Sequence, residues 1–412
     1  MPSIKEKLRA LDALSQARKP SAPVSDGSSK ESLLALDAQP VTNEFGQCLL
    51  RTKIFPAQHV HSLPIGEFAQ LRSRDFALVG KNLQLEQLAP ERVVFIDTET
   101  TGLAGGTGTV AFLVGMGRFV GDCFEVTQYF LRDFGDEPAL LHEISQSLCD
   151  VSGIISFNGK SYDLPLLRTR FILNRLEFKT EEFQHLDLLH AARRLWKKKL
   201  TSFNLRDLEV AILGFRREGD IPSAQIPSVF FQCLQSKDLS ALKPILQHNV
   251  MDILSMPALM VKASRVFNPP TVPDAIDYDV LAVAKTMEQL GLDEKAGEVY
   301  ETHLPFVKGE EAGQLMLRNA MRLKRLGRFR EAETVWRTVV EQGQIFSSEA
   351  YLELAKCYEH RFGEIEKALT TVERLQKRLD VSLALKEDDS LNRLANDLQL
   401  RRNRLLRKMQ RR

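Results

Sequence analysis

Cysteine is scarce. Five thiols, Cys48, Cys123, Cys149, Cys233 and Cys357, are scattered along 412 residues with no C-x-x-C pair among them. That pattern excludes a disulfide framework or a thiolate zinc site and points to a reducing, cytoplasmic setting. Long apolar runs are absent too. No stretch reaches the roughly 18 residues a membrane helix needs, so no membrane partner is expected. The opening MPSIKEKLRALDALSQARK is charged throughout and lacks an apolar segment, so no signal peptide is expected. Nor does charge of one sign prevail: 56 Lys and Arg stand against 54 Asp and Glu, a net of +2. A polyanion would therefore have to meet local patches rather than a global field. The remaining composition, 43% hydrophobic and 27% charged, is that of a chain able to bury sizeable cores.

Residues 1–45 read as a flexible N-terminal tail, with a short amphipathic helix over Ile4 to Arg18 and a linker in KPSAPVSDGSSKES. Residues 46–90 form a poorly defined lead-in. Its His59 and His61 alternate as metal ligands can, but no nearby residue completes a set, and an edge strand or loop explains them as well. From Val93 onward the chain alternates strand and helix. RVVFIDTE reads as a central strand, apolar on both faces. TVAFLVGMGRF and CFEVTQYFL read as an antiparallel hairpin turning at Gly121 and Asp122. GIISFNG and the start of FQHLDLLHAARRLW supply two more strands, and DLPLLRTRFILNRL and LKPILQHNVMDILSMPALMVKASRV are helical. A mixed five-stranded sheet flanked by helices is expected over 91–267. The proline-rich FNPPTVPDAID closes it.

Everything beyond reads as helix, and it repeats. Gly291, Gly327 and Gly363 recur at a period of 36, each followed five residues later by Ala296, Ala332 or Ala368. Tyr300 and Trp336 hold the next large position, where the third unit has Val372. A glycine that ends one helix and a small residue that lets the next pack closely describe stacked helical hairpins; a bundle with coincidental spacing is the plainer alternative. Residues 275–378 are assigned to these repeats and 379–412 to a basic C-terminal helix or tail.

Asp97 and Glu99 lie two apart on a strand, so they share a face, while Thr98 turns away. Paired carboxylates repel unless a cation compensates them; a strand that has ended in solvent is the alternative. Asp163 opens a helix, where an aspartate also serves as an N-cap. His248 and Asp252 lie at i and i+4 on one helix face. Together these segments offer four acids and one titratable base. Four acids suit two divalent ions about 3.5–4 Å apart in a phosphoryl-transfer site. Oxygen ligands favour Mg²⁺ or Mn²⁺ over zinc, and a histidine can take a proton from water.

The order of these motifs resembles the DEDD exonucleases of the ribonuclease H-like fold. DTETTG matches their first motif, Asn158-x4-Asp163 their second and His248-x3-Asp252 their third. More narrowly, DTETTGLAGGTGTVAFLVG, FNGKSYDLPLL, ILGFRREGDIPSAQIP and HNVMDILS resemble the YprB-like group of predicted exonucleases, in which helical repeats like tetratricopeptide repeats also fit. The resemblance covers about residues 90 to 265. It implies an α/β ribonuclease H-like domain followed by an all-α repeat domain, and a 3′→5′ exonuclease with two Mg²⁺ or Mn²⁺ ions. It gives metal-binding roles to Asp97, Glu99, Asp163 and Asp252 and the general base to His248. It sets Thr100, Gly102, Leu103, Asn158 and Arg217 near the 3′ end of a DNA or RNA substrate. The histidine lies four residues before the last aspartate, the spacing of the tyrosine subclass, rather than five.

GLAGGTGT lacks the lysine of a P-loop and the following helix of a dinucleotide fingerprint, so it reads as a tight connection. The basic runs RRLWKKK, RTR and LRRNRLLRKMQRR either contact phosphates or are solvated helix ends. Asp187 reads as structural. Two further readings stay open: a non-catalytic protein that grips nucleic-acid ends and recruits a partner through its repeats, and a plain repeat scaffold.

Overall fold

The structure, a computed structural model, describes residues 27–57, 63, 65–102, 108–178, 183–268, 276–342, 346–385 and 389–411. His59, His61, Leu103 and the middle of the glycine-rich segment lie outside the described residues. The chain divides into two units, one ending at Asp279 and one beginning at Val280. Among the described residues no helix is long and apolar enough to cross a membrane.

The first unit begins earlier than its sequence suggests. A helix, α1 (Gly27–Leu36), and a hairpin of β1 (Gln39–Asn43) and β2 (Gly46–Pro56) precede α2 (Ser73–Gly80). Then follow β3 (Val93–Thr100), β4 (Ala111–Val120), β5 (Cys123–Phe130), α3 (Glu137–Ser147), β6 (Gly153–Ser156) and α4 (Asp163–Leu173). β7 (Gln184–Asp187) runs straight into α5 (Leu188–Trp196). The short α6 (Leu205–Leu208) continues as a π-helical turn, Glu209–Leu213, before α7 (Ile226–Ser236) and the long α8 (Lys243–Phe267).

The sheet has seven strands, not five, in the order β1-β2-β5-β4-β3-β6-β7. Of the two unexpected strands, β2 pairs antiparallel with β5 and β1 with β2; the alternation of QCLLRTKIF is too mixed to read from sequence. The five expected strands are all present. β4 and β5 form the hairpin, with Val120 opposite Cys123 across the Gly121-Asp122 turn. β3 lies between antiparallel β4 and parallel β6, which is why its first half is apolar on both faces. Val94 and Ile96 join a core with Leu140, Phe171 and Phe230. Phe95 turns the other way, edge-on to Phe68 and Phe124.

That second side of β3 is where α8 lies, and two glycines of β4 let it approach. A Cβ on Gly115 would stand 2.1 Å from Asn249 Oδ1 and 2.4 Å from Ile253. One on Gly117 would stand 2.4 Å from Ile253 and 2.6 Å from Phe124. Gly115 faces Asp97 across the ladder, so the notch that admits α8 lies beside the first acidic residue.

The second unit is all helix: α9 (Val280–Gln289), α10 (Asp293–His303), α11 (Gly309–Arg325), α12 (Phe329–Gln342), α13 (Ser348–Cys357), α14 (Ile365–Leu385) and α15 (Asp389–Gln410). Gly291, Gly327 and Gly363 each take the left-handed conformation, φ 74°, 76° and 68°, between the helices of a pair. Ala296, Ala332 and Ala368 are fully buried, and Tyr300, Trp336 and Val372 almost so. As far as it is described, the basic C-terminal run is helical and engaged. Leu398 and Leu405 anchor α15 in the core, and Arg401, Arg404 and Lys408 converge on the buried carboxylate of Glu359.

The notch makes a stability prediction. Gly115→Ala should overpack the α8–β4 contact and lower unfolding stability by about 1–3 kcal/mol. Urea denaturation of the two proteins measures it; an unchanged midpoint would mean that α8 can retreat without loss.

Candidate metal centre

The candidate site forms where β3 ends against α8. Strand alternation turns Asp97 and Glu99 toward the helix, and α8 presents His248, Asn249 and Asp252. Ligand atoms of Glu99, His248 and Asp252 all lie within 4.8 Å of one another. His248 Nε2 is 3.7 Å from Glu99 and 3.5 Å from Asp252. Asp97 stands outside this group of three but is tied to the same helix: Asn249 Nδ2 donates to its Oδ2 at 2.8 Å. Asn249 is itself fully buried and accepts from Gln128 Nε2 of β5 at 2.8 Å.

Asp163 arrives from the other direction. Thr98, turned away from its neighbours by the pleat, donates its hydroxyl to Asp163 Oδ1. The turn that presents Asp163 is pinned by Asp187. Its carboxylate accepts the backbone N–H of Asn158 at 2.9 Å and of Lys160 at 3.0 Å, and caps α5 through Leu189 N–H at 3.0 Å. Asn158 has φ 68°, a left-handed geometry that asparagine tolerates. Asp163 is therefore not a member of the compact three-residue group, although its charge reaches Asp97 and Glu99. Thr100 donates to the carbonyl of Gly102 at 2.9 Å, shaping the turn out of β3.

Sequence reasoning placed Arg217 and Asp220 only in a loop near the substrate and missed the network they build behind the acids. Asp220 accepts from His248 Nδ1, at 2.8 and 3.0 Å for its two oxygens, which turns Nε2 toward Glu99 and Asp252. Arg206 holds Asp220 at 2.7 Å. Arg217, expected beside the substrate, is only 4% exposed in its side chain and bonds Asp252 Oδ1. The same guanidinium is paired with buried Glu209, Nε to Oε2 at 2.8 Å, and reaches Asp220 at 3.2 Å. Ser255 donates to Glu209 as well. The local signal was limited to the charges in FRREGDIP; nothing in it named Glu209, which the π turn directs inward. RRLWKKK is likewise engaged: Arg194 donates to the carbonyls of Leu78 and Val79, Lys197 and Lys198 face Asp279, and Lys199 faces Asp277.

The electrostatics call for a cation. Burial, and then the charges of Asp252, Glu99 and Asp163, hold the Asp97 carboxyl well above the usual range, against the Asn249 hydrogen bond. Burial, with Asp252, Asp163 and Asp220, does the same for Glu99, against Arg217. Burial pushes Asp163 up to about 6, against the Thr98 hydrogen bond. Asp220 goes the other way. Burial would raise it, but His248, Arg217 and Arg206 hold it below the ordinary value. Carboxylate oxygens with an excess of negative charge fit Mg²⁺ or Mn²⁺.

A raised carboxyl pKa costs the metal-free fold stability increasingly as the pH rises from the unfolded value near 4, in full above the folded value, and nothing below 4. In EDTA, Asp163→Asn should therefore melt higher than the parent above about pH 6, with the gap closing as the pH falls toward 4. Mn²⁺ should raise the parent's Tm most at pH 7–8. Equal melting of the two proteins in EDTA at every pH would contradict the burial of an ionised Asp163.

Residues 94–264 match the RNase_H superfamily. The chain is also 31% identical over 347 residues to the uncharacterized protein YprB of Bacillus subtilis (strain 168), covering 82% of this chain and 83% of that one. The match takes in the β3-to-α8 segment that carries the acids, so the chain belongs to the YprB-like family of the RNase_H superfamily.

Proposed function

We propose that the first unit is a divalent-metal-dependent 3′→5′ exonuclease acting on DNA or RNA, with two Mg²⁺ or Mn²⁺ ions, and that the second presents tetratricopeptide-like repeats to a protein partner. The domain limits proposed are 91–267 for the nuclease, with β1 and β2 added to its sheet, and 275–378 for the repeats. The observation that carries the reading is the convergence of Glu99, His248 and Asp252 within 4.8 Å, from a strand end and a helix far apart in sequence.

Asp97, Glu99, Asp163 and Asp252 would hold the ions. Bound divalent ions would supply the Lewis-acid charge that phosphodiester hydrolysis requires. The chain's own residues do the rest. With Nδ1–H donated to Asp220, His248 keeps the Nε2 lone pair free and aimed at the acids, where it can take the proton of an attacking water. Asn249 fixes the rotamer of Asp97, and Arg217 that of Asp252. Thr100, Gly102, Leu103 and Asn158 would border the 3′-terminal nucleotide. Arg217 acts on the substrate through Asp252.

A time course on 5′-labelled RNA and DNA with Mn²⁺ tests this. The parent should yield a ladder shortening from the 3′ end. Asp97→Asn and Asp252→Asn should fall to the level seen in EDTA, and His248→Ala should slow cleavage by about 10²–10⁴-fold. If the parent shortens neither RNA, single-stranded DNA nor duplex under either metal, the enzyme reading fails.

A further inference from the structure

One rung of the sheet breaks its apolar pattern. Arg51 of β2 stands opposite Gln128 of β5, Gln128 opposite Gly115 of β4, and Gly115 opposite Asp97 of β3. Residues directly opposite one another share a side of the sheet. The neighbouring rungs on that side carry Val126 with Phe95, and Phe130 with Leu113. Gly115 leaves a gap in the row, and Asn249 of α8 fills it, since the Cβ that the glycine lacks would stand 2.1 Å from Asn249 Oδ1. Hydrogen bonds therefore run unbroken from β2 to Asp97. Arg51 Nη1 donates to Gln128 Oε1 at 2.8 Å, Gln128 Nε2 to Asn249 Oδ1 at 2.8 Å, and Asn249 Nδ2 to Asp97 Oδ2 at 2.8 Å.

The chain of bonds has one direction. An amide side chain fits its space in either of two orientations, and its partners choose between them. Gln128 is fixed from both ends. Its oxygen meets a guanidinium, which can only donate, and its nitrogen also meets the Leu246 carbonyl at 2.9 Å, which can only accept. Gln128 thus shows an N–H to Asn249. Asn249 must turn its oxygen to Gln128, and that leaves its N–H for Asp97. A flipped Asn249 would set its oxygen against the Asp97 carboxylate. Gln128 and Asn249 are fully buried. Apolar groups of the same shape would serve packing about as well, so stability alone does not account for this rung.

We propose that Arg51 and Gln128 are positioning residues of the metal centre, which act through Asn249 to hold Asp97 oriented for a divalent ion. The inference rests on the metal-centre reading above. It makes the N-terminal hairpin, three strands from Asp97 in the sheet order, a working part of the site. The sign of the effect separates this role from simple charge. Arg51 is a cation, so its removal tightens divalent-ion binding if charge alone acts. Through the rung, its removal weakens binding.

Calorimetric titration of the full chain with Mn²⁺, with the Tm of each variant recorded, tests the rung. Arg51→Met and Gln128→Met should each raise the Mn²⁺ Kd about tenfold, and Asn249→Ala by about 10–100-fold. Arg51→Lys keeps a donor and should stay within about twofold of the parent. In the Asn249→Ala background, neither Arg51→Met nor Gln128→Met should raise the Kd further. Gln128→Met leaves the charge of Arg51 in place and carries the test should Arg51→Met fold poorly. A lowered Tm with unchanged Kd in both methionine variants, tighter binding by Arg51→Met, or full additivity with Asn249→Ala overturns the proposal. A parent that binds no Mn²⁺ sinks the metal centre and the rung's role with it. A parent that binds Mn²⁺ yet shortens no strand sinks the nuclease reading and leaves the rung standing.

Discussion

Asp97, Glu99 and Asp163 are carboxylates drawn partly or wholly out of water within reach of one another's charge, and the side chains packed around them answer that cost. Desolvation and mutual repulsion both push their protonation upward. Such a cluster persists only if surrounding packing over-determines it and some positive charge offsets it. Arg217 supplies part of the offset. It cannot wander, because buried Glu209 grips it from behind while it grips Asp252 in front. The remaining deficit is what a divalent ion would fill.

Helix α8 is the carrier of this arrangement. Three of its residues do three different things: His248 and Asp252 meet Glu99, and Asn249 meets Asp97. They can do so because the helix sits close to β4, and it sits close because Gly115 and Gly117 have no side chains in the way. Gln128, from the next strand, then bonds both Asn249 and the Leu246 carbonyl, fixing the helix along its axis. Strand, notch and hydrogen-bond relay thus form a single mechanical path from the sheet to the imidazole.

The second unit meets the same constraint with the opposite outcome. Its buried acids are fully surrounded by cations. Glu288 takes Arg318 and Arg325 along with the Tyr300 hydroxyl, and Glu359 takes Arg401, Arg404 and Lys408. No cation-seeking cluster is left over there among the described residues. Three charges of the basic C-terminal run hold α15 on its unit.

Periodicity carried much of this in the sequence. A pleat repeats every second residue and a helix every 3.6, so VVFIDTE places Asp97 and Glu99 on one side, and QHNVMD puts His248 above Asp252. The 36-residue spacing of Gly291, Gly327 and Gly363 likewise marks helix ends, because left-handed backbone selects glycine locally. What the sequence by itself determined is therefore whatever backbone geometry imposes on near neighbours. Partner choice across space was decided only by tertiary structure. Asp220 could have been a solvated loop acid, Arg217 a substrate contact, Glu209 a surface residue and residues 39–45 part of a tail. Their roles depend on which segments pack together, and on the burial that turns a weak surface charge pair into a strong constraint.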